Sequence, residues 1–255
     1  MTQNTTGPKH KGFYILPNLL TTAALFAGFL GILWAIDGRF ELSALAILAA
    51  CIFDGLDGKI ARLTKSASDF GIQFDSLSDL VSFGVCPAVT IYLWQTHHFG
   101  QVGLVVPFLF MACGALRLAR FNLQTKSLPK KFFVGLPIPA AACTLAALIL
   151  FSTYLPEVIL VHVLPTFTLA LAFVLSLLMI SKVKYASFKE LEMVRLHPFS
   201  STVTAIMLFV LVASEPKLII FIVFMTYIIS GILYTYIYLP LRKPAHLREP
   251  RKEFP

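Results

Sequence analysis

Charge is scarce in this sequence. Of its 255 residues only 13% are Asp, Glu, Lys or Arg, while 57% are hydrophobic. Soluble globular domains carry about 25% charged residues, so an ordinary water-soluble fold is excluded. Nucleic acid is excluded as a partner on related grounds. The net charge is +8, but no soluble basic domain is present to carry such a partner. Cysteine is sparse as well: Cys51, Cys86, Cys113 and Cys143 stand singly in apolar segments without a Cys-x-x-Cys pair. That pattern argues against a redox or thiolate-metal role and leaves them as small core residues. There is also no internal repeat and no low-complexity tract, and the first apolar run has no Ala-x-Ala-like exit. This run is therefore expected to be a membrane helix rather than a cleaved signal peptide.

Apolar runs of about 20 residues, the length a transmembrane helix requires, are abundant. They predict spans at 13–36, 42–61, 74–94, 101–121, 136–155, 158–180, 199–213 and 218–239, the seventh being short. Basic residues orient such a chain, because cytoplasmic loops are enriched in Lys and Arg. With both termini inside, Arg39 and Lys217 alone fall outside, leaving 19 of the 21 basic residues on the cytoplasmic side. An odd number of spans would spoil this partition. The expected fold is therefore all-α: a polytopic integral membrane helix bundle whose basic side also attracts anionic headgroups of the lipid bilayer.

Within this acid-poor chain, five of the 13 acidic residues fall in one segment: Asp54, Asp57, Asp69, Asp75 and Asp79. Ionisable groups at membrane depth usually face a cavity or one another. Asp54, Asp57, Gly58, Ala61 and Arg62 share one helical stripe, and Gly71, Asp75 and Asp79 share a second. The short polar run between them predicts two antiparallel neighbours with four carboxylates converging. Asp69, off both stripes, is expected in the loop or at the helix start. Crowded carboxylates need a compensating cation, and an all-oxygen set suits Mg²⁺ or Mn²⁺. Gly58 and Ala61 let a bulky ligand approach the backbone, and Arg62 offers a planar fork to a phosphate. The pattern points to a metal-bound pyrophosphate at the cytoplasmic edge of the bilayer. Structural ion pairing, or the ion site of a transporter, is the competing explanation. A transporter would more often show broken helices in two related halves, and none are found.

Written as spacing, the segment reads D-x2-D-G-x2-A-R-x8-G-x3-D-x3-D from Asp54 to Asp79. It resembles the signature of the CDP-alcohol phosphotransferase family, integral membrane enzymes of phospholipid synthesis with a six-helix core. The resemblance implies that Asp54, Asp57, Asp75 and Asp79 hold two divalent ions, and that Asp79 is also the catalytic base. It implies further that Gly58, Arg62 and Ser68 hold the cytidine diphosphate moiety of CDP-diacylglycerol. Asn18 and Thr21, in "LPNLLTT" at 16–22, would contact the same nucleotide. A homodimer in the cell (inner) membrane, with its active site cytoplasmic, is implied too.

The stretches "SDLVSFGVCPA" at 78–88, "LRLARFN" at 116–122, "FVGLPIPAAA" at 133–142 and "SKVKYASFK" at 181–189 resemble the bacterial and archaeal serine-accepting branch of the family. L-Serine is the acceptor so implied, with another alcohol, such as glycerol 3-phosphate or an inositol phosphate, as the alternative. Serine's carboxylate needs a cation, and Arg117 or Arg120, ending the fourth helix, would supply it. Residues 1–190 are expected to form the catalytic membrane domain, 191–240 a C-terminal transmembrane pair beyond the shared core, and 241–255 a basic cytoplasmic tail.

Overall fold

The computed structural model describes residues 15–64, 66, 68–124, 133–185 and 214–238. Apart from one pair of two-residue strands, the regular elements among them are helices. Helix α1 (Ile15–Ile36) turns back at Gly38, whose φ of +75° favours glycine, into α2 (Phe40–Leu63). The two pack along most of their length. Ala24, Ala27, Ala44, Ala46 and Ala50 are buried on this pair; small side chains let membrane helices approach closely.

The next span is composite. It runs as α3 (Asp69–Asp79), a π-helical segment (Leu80–Val85) and α4 (Cys86–Trp94). It begins five residues before the expected 74, because Ser68 caps it: its hydroxyl accepts the Gly71 N–H at 3.0 Å. Asp69 is accordingly the first helical residue, as one of the two expected placements had it. A 3₁₀ turn (Thr96–Phe99) leads to α5 (Gly100–Gln124).

Helix α6 (Ile138–Ser152) is the hub of the bundle. Twelve of its fifteen residues are buried, and α2, α4, α5, α8, the π segment and the last described helix all pack on it. Its length of about 22 Å, at 1.5 Å per residue, falls short of a bilayer's hydrocarbon core. That shortness carries little penalty in a helix enclosed by protein.

The run expected to cross once at 158–180 is divided into α7 (Glu157–His162) and α8 (Leu164–Ile180). Pro165 explains the break, since its ring lacks an N–H and clashes with the carbonyl four residues earlier. Strands β1 (Phe133–Val134) and β2 (Lys184–Tyr185) form an antiparallel clip with Phe133 opposite Tyr185. The last described helix, α9 (Pro216–Leu233), continues into a π turn (Tyr234–Tyr238). The expected span at 199–213 and the basic tail at 241–255 lie outside the described residues.

Among the described residues, four stretches are long and apolar enough to cross a membrane: Leu16–Ile36, Asp69–Trp94, Thr96–Leu123 and Pro216–Ile237. Apolar side chains also cover the outer surface, among them Phe26, Phe29, Phe108, Leu116 and Phe173. A bundle apolar both inside and out is built for lipid.

Candidate active site

The carboxylates gather where the end of α2 and the start of α3 face each other across α1. One carboxylate oxygen from each of Asp54, Asp57 and Asp75 lies within 4.8 Å of the others. Asp54 is also in hydrogen-bonding reach of Asp79. The arrangement departs from the expected pair of close neighbours in one respect. Both α2 and α3 pack mainly on α1, and their own backbones scarcely approach. The side chains bridge a gap, and the gap is the site.

Helix α1 supplies the floor. Thr21, buried, donates its hydroxyl to Asp57 at 2.6 Å, which fixes the one acidic residue of the group that is itself buried. Ser78 donates to the Thr21 carbonyl at 3.1 Å and Ser82 to the Ala24 carbonyl at 3.0 Å. These two bonds stitch α3 and the π segment to α1, and a Cβ on Gly28 would collide with Ser82. The sequence reading missed both serines. They stand four apart, three residues beyond Asp75 and Asp79, so a polar stripe beside the acidic one was there to be found.

Three carboxylates so close repel strongly. At an effective dielectric of about 20, two unit charges 4.8 Å apart cost about 3.5 kcal/mol, and the trio contains three such pairs. The total of about 10 kcal/mol rivals the net stability of a typical domain, about 5–15 kcal/mol. No arginine or lysine offsets it: among the described residues the one ion pair is Lys217–Glu41, elsewhere in the fold. An all-oxygen donor set with no ion-paired cation among the described residues fits a hard divalent metal ion.

Beside the trio opens a cleft of about 220 Å³. At about 30 Å³ per water in the liquid, it has room for a diphosphate. Pro17, Asn18 and Thr21 of α1, Asp57, Gly58, Ala61 and Arg62 of α2, and Ser66, Ser68, Gly71, Ile72 and Asp75 line it. The structure thus brings Asn18, Thr21, Gly58, Arg62 and Ser68, the residues the family resemblance names, to one cleft together with Ser66, which the reading passed over. Arg62 is exposed at the rim. Its guanidinium nitrogens lie 3.8 and 3.9 Å from where a Cβ on Gly58 would sit, so it curls over the bare backbone. A Cβ on Gly71 would be 3.6 Å from Asn18 Oδ1 and 3.2 Å from Ser68 Oγ. Leu16, Leu19, Leu63 and Phe70, next in sequence to the lining residues Pro17, Asn18, Arg62 and Gly71, are exposed.

Asp54 and Asp79 are not on the cleft wall. Asp79 instead lies within electrostatic reach of Arg117, which is only 8% exposed. No ion pair joins them, and Arg117 Nε is buried without a hydrogen-bond partner. Arg120, considered together with Arg117 in the sequence, lies within electrostatic reach of it, and its Nη1 donates to the Ile180 carbonyl at 3.4 Å, at the end of α8. The cationic side chain suits the partial negative charge there. Gly135, at φ +85°, carries the chain past this point, where a Cβ would meet the Met179 carbonyl.

A model of the CDP-alcohol phosphatidyltransferase family matches residues 14–179. The chain belongs to this family. The matched segment holds every residue named above in the cleft and the carboxylate group, and it ends before α9. Among similar proteins is a CDP-diacylglycerol–serine O-phosphatidyltransferase of Helicobacter pylori, 39% identical over 70% of this chain and 75% of its own length. An archaetidylserine synthase of Methanothermobacter thermautotrophicus is 39% identical over 69% of this chain and 72% of its own. A CDP-diacylglycerol–serine O-phosphatidyltransferase of Methanocaldococcus jannaschii is 42% identical over 62% and 68%. Membership makes the chain a transferase of the phospholipid-forming class, and its apolar helices make it a membrane protein.

Proposed function

We propose that this protein transfers the phosphatidyl group of CDP-diacylglycerol to the hydroxyl of L-serine, forming phosphatidylserine and releasing cytidine monophosphate. The observation that carries the reading is the carboxylate trio, two of whose members, Asp57 and Asp75, also line a phosphate-sized cleft. The serine-specific names of relatives 39–42% identical to this chain support the choice of acceptor.

Asp54, Asp57, Asp75 and Asp79 would hold two divalent ions, Mg²⁺ or Mn²⁺, which neutralise the diphosphate and make its phosphorus more electrophilic. Gly58 and Gly71 leave backbone open to the nucleotide. Arg62, Asn18 and Ser68 offer it polar contacts, and Thr21 orients Asp57. The serine oxygen attacks the phosphorus bonded to diacylglycerol; the new O–P bond forms as the bond to the cytidylate oxygen breaks. Asp79 accepts the hydroxyl proton in this step. Arg117, buried and unpartnered at Nε across from Asp79, receives the serine carboxylate. Arg120, which also donates to the Ile180 carbonyl at the end of α8, is the second candidate for that carboxylate.

We take the site to open on the cytoplasm, with the chain in the cell (inner) membrane as a homodimer and residues 1–190 as its catalytic domain. These assignments follow the basic-residue partition and the family resemblance. Detergent-purified protein given CDP-diacylglycerol and Mg²⁺ or Mn²⁺, with each alcohol offered in turn, tests the reading. Serine is expected to give phosphatidylserine and cytidine monophosphate. Product with glycerol 3-phosphate alone would reassign the acceptor. Ion flux in vesicles, with indifference to cytidine nucleotides, would place the protein among transporters.

A further inference from the structure

Between α2 and α3 the chain brings to the cleft one hydroxyl that no step above uses. Ser66 lines the cleft yet is only 6% exposed. Its N–H donates to the Ala61 carbonyl at 3.0 Å, which seats it just beyond that part of α2. Ala61 lies four residues past Asp57, about 6 Å along the axis at 1.5 Å per residue, and Ser66 is farther on in the same direction. The serine therefore stands at the end of the cleft away from the carboxylate trio.

Hydrogen-bond accounting fixes what this hydroxyl can do. Thr64 Oγ1 lies 2.8 Å from the Ile60 carbonyl oxygen and 2.7 Å from Ser66 Oγ. A carbonyl has no proton to give, so Thr64 donates its single hydroxyl proton to Ile60. The proton between the two hydroxyls must then come from Ser66. With that proton spent, Ser66 Oγ can only accept from a ligand. Ser68, lining the same cleft, has the opposite polarity. Its hydroxyl oxygen accepts the Gly71 N–H at 3.0 Å, which leaves its proton to offer.

A metal-bound diphosphate presents acceptor oxygens and no donor. Ser68 suits it, whereas Ser66 would oppose it, lone pair against lone pair. The nucleoside half is different, because cytidine carries donors in its ribose hydroxyls and its exocyclic amine. We propose that Ser66 is a specificity-determining residue of the donor site, its hydroxyl oxygen accepting a hydrogen bond from one of these nucleoside donors. This deepens the functional reading above and rests on it. Thr64 is the positioning residue that sets the polarity. A nucleoside without a donor at that point leaves a buried acceptor unpaired, and such groups are what give a site its discrimination.

Calorimetry on the full chain in detergent with Mg²⁺ tests this, using cytidine diphosphate, its two monodeoxyribose forms, uridine diphosphate and pyrophosphate as probes. Ser66→Ala should weaken cytidine diphosphate about two- to ten-fold, the range for one neutral hydrogen bond, and leave pyrophosphate unchanged. One analogue, lacking the hydroxyl or the amine that Ser66 meets, should bind wild type and Ser66→Ala alike, and its identity names the contact. Thr64→Val keeps Ser66 but releases its proton, so it should narrow the preference for cytidine diphosphate over that analogue. Unchanged cytidine diphosphate binding in Ser66→Ala, or pyrophosphate binding that falls with it, overturns the proposal and leaves the function standing. So does a preference untouched in Thr64→Val. Wild-type protein that binds no cytidine nucleotide defeats the functional reading itself.

Discussion

Asp54→Asn should make the metal-free protein more stable while removing its activity. Asp54 belongs to two of the three close carboxylate pairs and also reaches Asp79. Each pair costs about 3.5 kcal/mol at an effective dielectric of 20, so neutralising Asp54 relieves about 7 kcal/mol in principle. The neighbouring cleft is open to water and screens much of this, and an expected gain of about 2 kcal/mol allows for that. For a chain of this size, 1 kcal/mol corresponds to about 2–4 °C in thermal midpoint, giving a rise of about 4–8 °C. Thermal unfolding in detergent with a chelator, and again with Mg²⁺ or Mn²⁺, reads both halves of the claim. Wild type should start low and rise strongly with metal; the variant should start higher and respond weakly. A variant that is less stable without metal, yet keeps the full metal-induced rise, would refute the idea that repulsion within this group is relieved by a bound cation.

Gly58→Ala should separate folding from binding. The new methyl meets nothing in the protein closer than Arg62 at 3.8 Å, and alanine is favoured over glycine inside a helix by about 1 kcal/mol. The thermal midpoint should therefore hold or rise while KM for CDP-diacylglycerol increases at least ten-fold; unchanged donor affinity would take the nucleotide away from this wall. Thr21→Val removes the 2.6 Å bond to Asp57, and groups that orient metal ligands are typically worth about 10–100-fold in affinity. A metal titration of activity should show that shift, and one superimposable on wild type would leave Thr21 a packing residue. Asp79→Asn should lose about 10²–10⁴-fold in turnover, the usual range for a general base, with cytidine nucleotide binding largely retained by calorimetry. Undiminished turnover would remove Asp79 from the role of base.

The acidic site was legible because its residues repeat at helical spacing, and periodicity is a local property that survives folding. Asp54, Asp57 and Asp75 converge, and Asp57, Gly58, Ala61, Gly71 and Asp75 line one cleft. What a sequence does not carry is the rotation of one helix about another. The interposed α1, which keeps the α2 and α3 backbones apart, left no mark in the motif. Arg117 and Arg120 were indistinguishable as a pair at i, i+3, because only packing shows that one is enclosed opposite Asp79 and the other drawn to the end of α8. Pro165 was visible in the sequence, but a long apolar run outweighed it. The π segment after Asp79 had no signal at all, though it resets the helical phase between the acidic face and the buried face of α4.

The exposed leucines and phenylalanine that adjoin the cleft's lining residues in sequence have a consequence for traffic. A two-chain lipid pulled bodily into water would expose dozens of methylenes, each costing about 0.8 kcal/mol, far beyond any attainable affinity. Under the proposed function, the exposed Leu16, Leu19, Leu63 and Phe70 would set the doorway on the flank of the protein. Only the polar head of a substrate has to step sideways, and both donor and product can come and go by lateral diffusion without their tails ever leaving the oil.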